Sequence, residues 1–242
     1  MAANERILGI IPARGGSKRL PFKNLMELGG RPLISYTIEA ALKSQYIDEL
    51  VVSTDDPETA RIAAAWGTPV PFLRPAALAT DEAGSFEVLR HAVEHFANAG
   101  SGGFEYVVML QPTSPLRTNA DIDEAVTFLR EREADAVISV CECDHSPLWA
   151  NTLPEDRSMA DFLRDEVKNK RSQDLTVQYR LNGAIYICRT SRMLAEKTLF
   201  LKDNIFAFIM PRERSVDIDT MLDLKLCETL LSLQPELTGG VR

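Results

Sequence analysis

Hydrophobic and polar positions along this chain switch repeatedly between two periods. Ile7-Leu8-Gly9-Ile10-Ile11 is an unbroken apolar run, as expected of a short strand buried on both faces. After Pro32, where a helix can begin, Leu33, Ile34, Tyr36, Thr37, Ile38, Ala41 and Leu42 supply one apolar helical side. Leu50-Val51-Val52-Ser53 reads as the next strand. Asp56 and Pro57 then have the form of a helix cap and first helical residue, and Gly67 ends that helix. A short strand is expected over 70–73, leading into Arg74. Phe86, Leu89, Val93 and Phe96 mark a helix over 85–99, broken by Gly100 to Gly103. Further strands are predicted at 106–110, 136–140, 185–187 and 207–209, with helices at about 121–133 and 220–233 and a frayed tail at 239–242. Strands alternating with helices predict an α/β fold with a mostly parallel sheet covered on both faces. Between 144 and 180 the alternation stops and polar, proline-containing sequence takes over, so the body is expected to consist of 1–143 and 181–242.

Composition changes little in this picture. The 242 residues are 45% hydrophobic and 26% charged, ample for one α/β body. A formal charge of -8 argues against nucleic acid as a general partner, which needs a broad basic face. The first residues lead straight into a strand without signal-peptide character, and no apolar run approaches a membrane span, so a cytoplasmic protein without membrane partners is expected. Cys141, Cys143, Cys188 and Cys227 lack paired Cys-x-x-Cys spacing and read as buried, reduced thiols. His91 and His95 share one helical face, a spacing that can bind metal, but no third ligand lies near in sequence; a solvated helix face is expected.

Against that acidic background one segment stands out. Directly after the first strand come Gly15 and Gly16, then Arg14, Lys18, Arg19 and Lys23 share a window without an acid. A flexible cationic loop at the carboxyl end of a first strand is where α/β folds place phosphates. The pattern is neither the P-loop nor Gly-x-Gly-x-x-Gly. A second feature is Asp217-Ile218-Asp219. Residues two apart on extended chain face the same way, and two such carboxylates repel unless a cation joins them. Magnesium, held by one or two carboxylates plus substrate phosphates, would serve; so would a solvated pair capping the helix near Thr220.

The string Pro12-Ala13-Arg14, Ser17-Lys18, Leu20-Pro21 and Lys23-Asn24 resembles the signature of the acylneuraminate cytidylyltransferases, the CMP-sialic acid synthetases. Four more segments are similar to that family: 74–81, Leu110-Gln111-Pro112-Thr113-Ser114-Pro115-Leu116-Arg117, Arg180-Leu181-Asn182-Gly183-Ala184-Ile185-Tyr186, and 215–220. The resemblance implies a Rossmann-like three-layer nucleotidyltransferase fold, with 144–180 projecting to pair with a second copy in a homodimer. It implies CTP as co-substrate, a nonulosonic acid as acceptor, and Mg2+. On the family pattern Arg14, Lys18 and Lys23 contact phosphates and act with Asp219 in catalysis. Ser17, Asn24, Arg74 and Ser85 join Arg14 in holding the nucleotide, and Asp217 and Asp219 hold the metal. Gln111, Arg171, Asn182 and Tyr186 face the sugar, with Arg171 near the family's arginine for the sugar carboxylate. Arg19 falls where many relatives carry glycine and gets no role beyond the local field; Arg117 reads as structural. Plainer roles stand beside these: a cap for Asn24, a helix start for Ser85, a core position for Tyr186. Trp149 replaces a lysine found in some sialic acid enzymes, and Leu199 one ring of an aromatic pair lining the acyl pocket. Both point to a reshaped, less polar acceptor pocket, as legionaminic acid would need.

Overall fold

The structure, a computed structural model, describes residues 5–17, 19–100 and 103–233. Lys18 and the expected tail at 239–242 lie outside the described residues. The chain begins with β1 (Ile7–Pro12), a two-strand hairpin of β2 (Glu27–Leu28) and β3 (Arg31–Pro32), and α1 (Leu33–Leu42). Then come β4 (Glu49–Ser53), α2 (Pro57–Ala65), α3 (Ser85–Asn98), β5 (Tyr106–Met109) and α4 (Asn119–Glu131). β6 (Ala136–Glu142), β7 (Tyr179–Arg189), α5 (Thr190–Glu196), β8 (Ile205–Ile209) and α6 (Met221–Leu233) complete it.

Six strands form one sheet in the order β4-β1-β5-β7-β6-β8. The pairs β1–β4, β1–β5 and β6–β8 are parallel, whereas β7 runs antiparallel to both of its neighbours. The chain steps outward from β1 to β4 and then back to β5 on β1's other side. That reversal opens a crevice beyond the carboxyl ends of β1 and β5, the place where α/β sheets bind ligands.

Strand residues alternate between two buried layers, as period 2 requires. Ile7 and Ile11 join Ile34, Ile38, Val52, Ile122 and Val126 under α1 and α4. Leu8 and Ile10 join Val51, Leu89, Phe96 and Met193 under α3 and α5. A third, smaller cluster of Leu20, Leu28, Leu33, Tyr36, Leu116, Ile218, Leu224, Cys227 and Leu231 packs α6 and the hairpin against the end of the sheet. Helix starts follow their caps. Asp56 accepts from the Glu58 and Thr59 N–H groups, and Thr118 and Asp121 make a reciprocal capping box that starts α4 at Asn119, two residues ahead of the expected position.

Several differences from the sequence reading have local causes. No strand forms over 70–73: Pro71 has no N–H for a ladder, and Phe72 instead seats between His91 and His95, ring centroids 4.8 and 4.7 Å away. The two histidines therefore hold a loop rather than present a solvated face. The β2–β3 hairpin is too short for periodicity; its signal is Gly29-Gly30, with φ of 56° and 80°. Helix α5 spans 7 residues, under two full turns of pattern. β7 is longer than predicted because its residues 179–181 extend past the buried part of the sheet and lose the apolar run. Pro32 precedes α1 as its cap instead of occupying the first turn. All four cysteines are free, three of them buried and Cys143 half-buried.

In the segment 144–180 the only helical turns are Pro147–Trp149 and Ser172–Asp174, and Val167 is the single buried residue. No helix among the described residues is long and apolar enough to cross a membrane.

Candidate active site

The loop after β1 is tied down from three sides. The Ala13 N–H donates to the Ser53 carbonyl at 2.9 Å, and the Gly15 N–H donates to Asp55 Oδ1 at 3.0 Å. Asn24, 9% exposed, donates its amide to the Arg14 carbonyl at 3.0 Å. It therefore braces the loop rather than capping a helix, and the turn at Lys23–Leu25 has no side-chain cap. The Arg14 guanidinium is held by Asp81 at 2.7 Å. Arg74 is buried: it donates to the Ser53 carbonyl at 2.6 Å and the Leu78 carbonyl at 3.3 Å, leaving Nε without a partner. Burial lowers its pKa, and the nearby Asp55 charge works the other way. Ser85 both starts α3 and faces the cleft.

Opposite the loop stands the carboxylate pair. Ile218 is fully buried in the α6 cluster and its N–H donates to the Thr113 carbonyl at 2.8 Å. With Ile218 turned inward, Asp217 and Asp219 turn to the cleft. Burial raises the Asp217 pKa, the neighbouring Asp219 charge adds to this, and a Thr113 hydrogen bond opposes it. Asp219 accepts from Lys23 Nζ at 2.9 Å on one oxygen and from Arg19 Nη1 at 2.8 Å on the other. The helix-capping alternative goes to a different residue: Asp223 accepts from the Asp219 and Thr220 N–H groups.

These residues line one cavity of about 300 Å³: Arg14, Ser17, Lys23, Asn24, Arg74, Ser85, Gln111, Thr113, Asp217 and Asp219 are all on its wall. Ser85 and Gln111 also line a second cavity of about 320 Å³, whose other walls are mostly apolar: Phe86, Met109, Leu181, Tyr186, Leu199 and Phe200. Tyr186 combines a core position with a place on this cavity's wall. It is 8% exposed within the core, yet it borders this cavity edge-on to Phe200, 6.3 Å between centroids. Burial raises its hydroxyl pKa.

Nine of the predicted residues thus meet in one cleft, with Tyr186 beside it. Two do not. Arg171 lies in the exposed 144–180 segment and pairs with Asp174, Nε to Oδ2 at 2.9 Å. Asn182 is 1% exposed and faces a buried polar network instead of either cavity. Trp149 also lines neither cavity, so the stacking contact expected of it does not arise within this chain. The sequence reading missed Thr113, Asp81 and the Arg19–Asp219 contact. Thr113 sat in the recognised Gln-Pro-Thr-Ser-Pro segment and carried the only available signal; the others are long-range pairings with no local mark.

The pair Asp217 and Asp219 offers a hard cation oxygen donors alone, beside a cationic wall suited to phosphates. No group of three or more His, Cys, Asp or Glu forms a closed metal site among the described residues. Further ligands would therefore come from a bound substrate and water.

Comparison with known proteins agrees with this geometry. The cytidylyltransferase family profile matches residues 8–221. A CMP-N,N'-diacetyllegionaminic acid synthase of Legionella pneumophila is 36% identical over 96% of this chain and 98% of its own length. An N-acylneuraminate cytidylyltransferase of Escherichia coli is 37% identical over 93% of this chain, which spans 52% of that protein. A pseudaminic acid cytidylyltransferase of Campylobacter jejuni is 35% identical over 95% of this chain and 97% of its length. Among solved structures, a CMP:2-keto-3-deoxy-manno-octonic acid synthetase complexed with CTP superposes with a TM-score of 0.69 at 20% identity, over 95% of this chain and 99% of that one. That likeness carries the Rossmann-like fold; the sequence match carries the family, and the chain belongs to the cytidylyltransferases.

Proposed function

We propose that this protein activates a nonulosonic acid with CTP, giving the CMP-sugar and pyrophosphate. The observation that carries the reading is the shape of the site: a cationic cleft facing two carboxylates, continuous through Ser85 and Gln111 with a less polar cavity. The first part suits a nucleoside triphosphate, the second a sugar. In the reaction the anomeric hydroxyl oxygen bonds to the α-phosphorus, the bond from that phosphorus to the bridging oxygen breaks, and the hydroxyl proton leaves. No covalent enzyme intermediate is required. Such displacement is catalysed by positioning and charge neutralisation.

Arg14 and Lys23, with Lys18 from the same loop, neutralise the triphosphate and the leaving pyrophosphate. Ser17 and the loop amides donate to phosphate oxygens. Asn24 keeps the Arg14 backbone in place. Arg74 and Ser85 hold the nucleoside end. Asp217 and Asp219 would hold Mg2+, which supplies charge neutralisation at the phosphates. Asp219 is also the carboxylate proposed to assist deprotonation of the acceptor. Gln111 stands between the two cavities and orients the sugar, and Tyr186 forms its far wall. The sugar carboxylate calls for a cation, and Arg171 serves only if it comes from a second copy or the segment moves. Leu153, Met159 and Val177 of 144–180 are more than half exposed, at 55%, 59% and 52%, which supports pairing of two copies through that segment. We place the reaction in the cytoplasm, where CTP is made.

The apolar lining of the second cavity favours an acceptor carrying methyl or acylamino groups in place of hydroxyls, as legionaminic acid does. Pyrophosphate release with CTP and Mg2+ against a panel of nonulosonic acids tests the proposal. Turnover with one acid supports it and names the acceptor. CTP binding without release would mark a nucleotide-binding regulator and refute it. Light scattering that gives a monomer in active enzyme would remove the dimer.

A further inference from the structure

Asn182 has no hydrogen-bonding capacity left for a ligand. Its Oδ1 accepts from Ser139 Oγ at 2.6 Å and from the Ala184 N–H at 3.2 Å. Its Nδ2 donates to Ser215 Oγ at 2.9 Å and to Met210 Sδ at 3.3 Å. A side-chain amide has two donors and one two-lone-pair oxygen, so the protein uses all of it. Ser215 passes the connection on by donating to the Pro211 carbonyl at 2.7 Å. Ser139, Asn182 and Ser215 are all within 1% of full burial, and none of them lines either cavity.

The bridge has a consequence for the cleft. It fastens the irregular place where β6 and β7 shift register to the 211–215 turn, and the chain reaches Asp217 two residues later. The next residue after Asn182 lies close to the Asp217 carboxylate: a Cβ built on Gly183 would fall 3.4 Å from Asp217 Oδ2. Asp217 therefore follows two residues after the anchored Ser215, with the Gly183 backbone close beside its carboxylate. A desolvated carboxylate held against a second one needs such support to keep its orientation.

We infer that Ser139, Asn182 and Ser215 are positioning residues for Asp217, so that Asn182 acts on the cation-binding end of the site without touching sugar. The inference rests on the proposed role of Asp217 in metal binding. It makes the Asn-Gly corner of β7 a brace for the carboxylate pair, where the family resemblance would have it face the acceptor.

The test uses the full chain with Asn182→Asp, Ser215→Ala and Asp217→Asn. Asn182→Asp keeps the acceptor oxygen and loses the donor; Ser215→Ala cuts the bridge at its other end. Mn2+ affinity of the nucleotide-free variants is read by electron paramagnetic resonance, alongside half-saturating Mg2+, acceptor KM and kcat in turnover. Both bridge variants are expected to weaken Mn2+ binding about 10-fold, the scale seen when supporting partners of metal ligands are lost. The Mg2+ requirement should rise in parallel, with acceptor KM unchanged. A raised acceptor KM with unaltered Mn2+ binding would return Asn182 to the sugar and overturn the inference. Folded variants with a lower Tm and wild-type kinetics would reduce the bridge to a structural feature and overturn it equally. If Asp217→Asn itself binds Mn2+ normally, the metal reading fails and takes this inference with it. Loss of binding in Asp217→Asn but in neither bridge variant overturns the inference alone.

Discussion

Gly183→Ala tests how the two cavities share a wall. Gly183 has φ of 75°, and its added Cβ would sit 2.6 Å from Gln111 Oε1. Left-handed backbone costs an L-residue roughly 1–2 kcal/mol. The clash falls on the free end of a flexible side chain, so it is relieved by turning the Gln111 amide, for about 0.5–1.5 kcal/mol of rotamer strain. Together these come to about 1.5–3.5 kcal/mol, which in a chain of this length lowers Tm by roughly 3–14 °C. Asp217, at 3.4 Å, remains in ordinary contact. The functional effect should fall on the acceptor. Losing one neutral hydrogen bond, about 0.5–1.5 kcal/mol, raises acceptor KM about 2- to 12-fold. CTP KM should hold, because Arg14, Lys23 and Arg74 are untouched. The assay is a cycle of Gly183→Ala, Gln111→Ala and the double variant, with acceptor KM and Tm read for each. If Gly183 acts through Gln111, the double variant binds acceptor no worse than Gln111→Ala alone. Additive losses, or a fall in Tm with acceptor KM unmoved, would refute the reasoning.

Other expectations follow from the site and its support. Arg19→Ala frees one oxygen of Asp219 from an exposed ion pair worth at most about 1 kcal/mol, so half-saturating Mg2+ should fall by up to about fivefold; a rise would mean that Arg19 serves the phosphates. Burial holds the Asp217 carboxyl above its ordinary 3.8, so the folded chain binds that proton more tightly than the unfolded chain. Stability of the ligand-free protein therefore falls as pH rises from the ordinary value through the raised one. Asp217→Asn should raise Tm at neutral pH while abolishing turnover, and a lowered Tm in thermal melts would contradict that sign. Far from the cleft, Asp135 accepts from Arg189 at 2.6 Å, Arg192 at 2.8 Å and Asn204 at 3.1 Å. Asp135→Ala strands these donors, costs about 2 kcal/mol and leaves kcat alone; a kcat change would show that the network reaches the site.

What could be read from sequence was what local chemistry writes down. β1, β4, β5 and β6 were visible because they are buried on both faces, leaving unbroken apolar runs. The cationic loop after β1 was visible because its charges contrast with an acidic chain. Asp217-Ile218-Asp219 was visible because a two-residue spacing fixes a common face, and buried Ile218 bears this out. Pairings across 60 or 200 positions were invisible, among them Lys23 with Asp219 and Arg14 with Asp81. Asn182 shows the limit most sharply. An asparagine before glycine in a recognised segment looks like a ligand contact, and only its four filled hydrogen bonds show where it points.

Relatives named for legionaminic, N-acylneuraminic and pseudaminic acids are 36%, 37% and 35% identical to this chain, a spread too narrow to sort them. On the proposed reading, discrimination falls to the few side chains on the second cavity's wall. There Leu199 is 5% exposed and anchored in the core, while Phe200 is 52% exposed and meets Tyr186 edge-on. A sugar hydroxyl pressed against the Leu199 and Phe200 side chains, out of reach of the polar wall residues Lys197 and Thr198, loses water without gaining a partner, at roughly 1–3 kcal/mol, or about 5- to 150-fold in kcat/KM. A methyl group at the same place has no hydrogen bond to water to lose. Phe200→Ser supplies a hydroxyl partner and opens the wall to water. It should therefore narrow the kcat/KM ratio between legionaminate and N-acetylneuraminate, mainly by improving the latter. Equal falls for both acids would mean that Phe200 contributes bulk contact without choosing between them, and the preference would have to be sought on the wall formed by Met109 and Leu181.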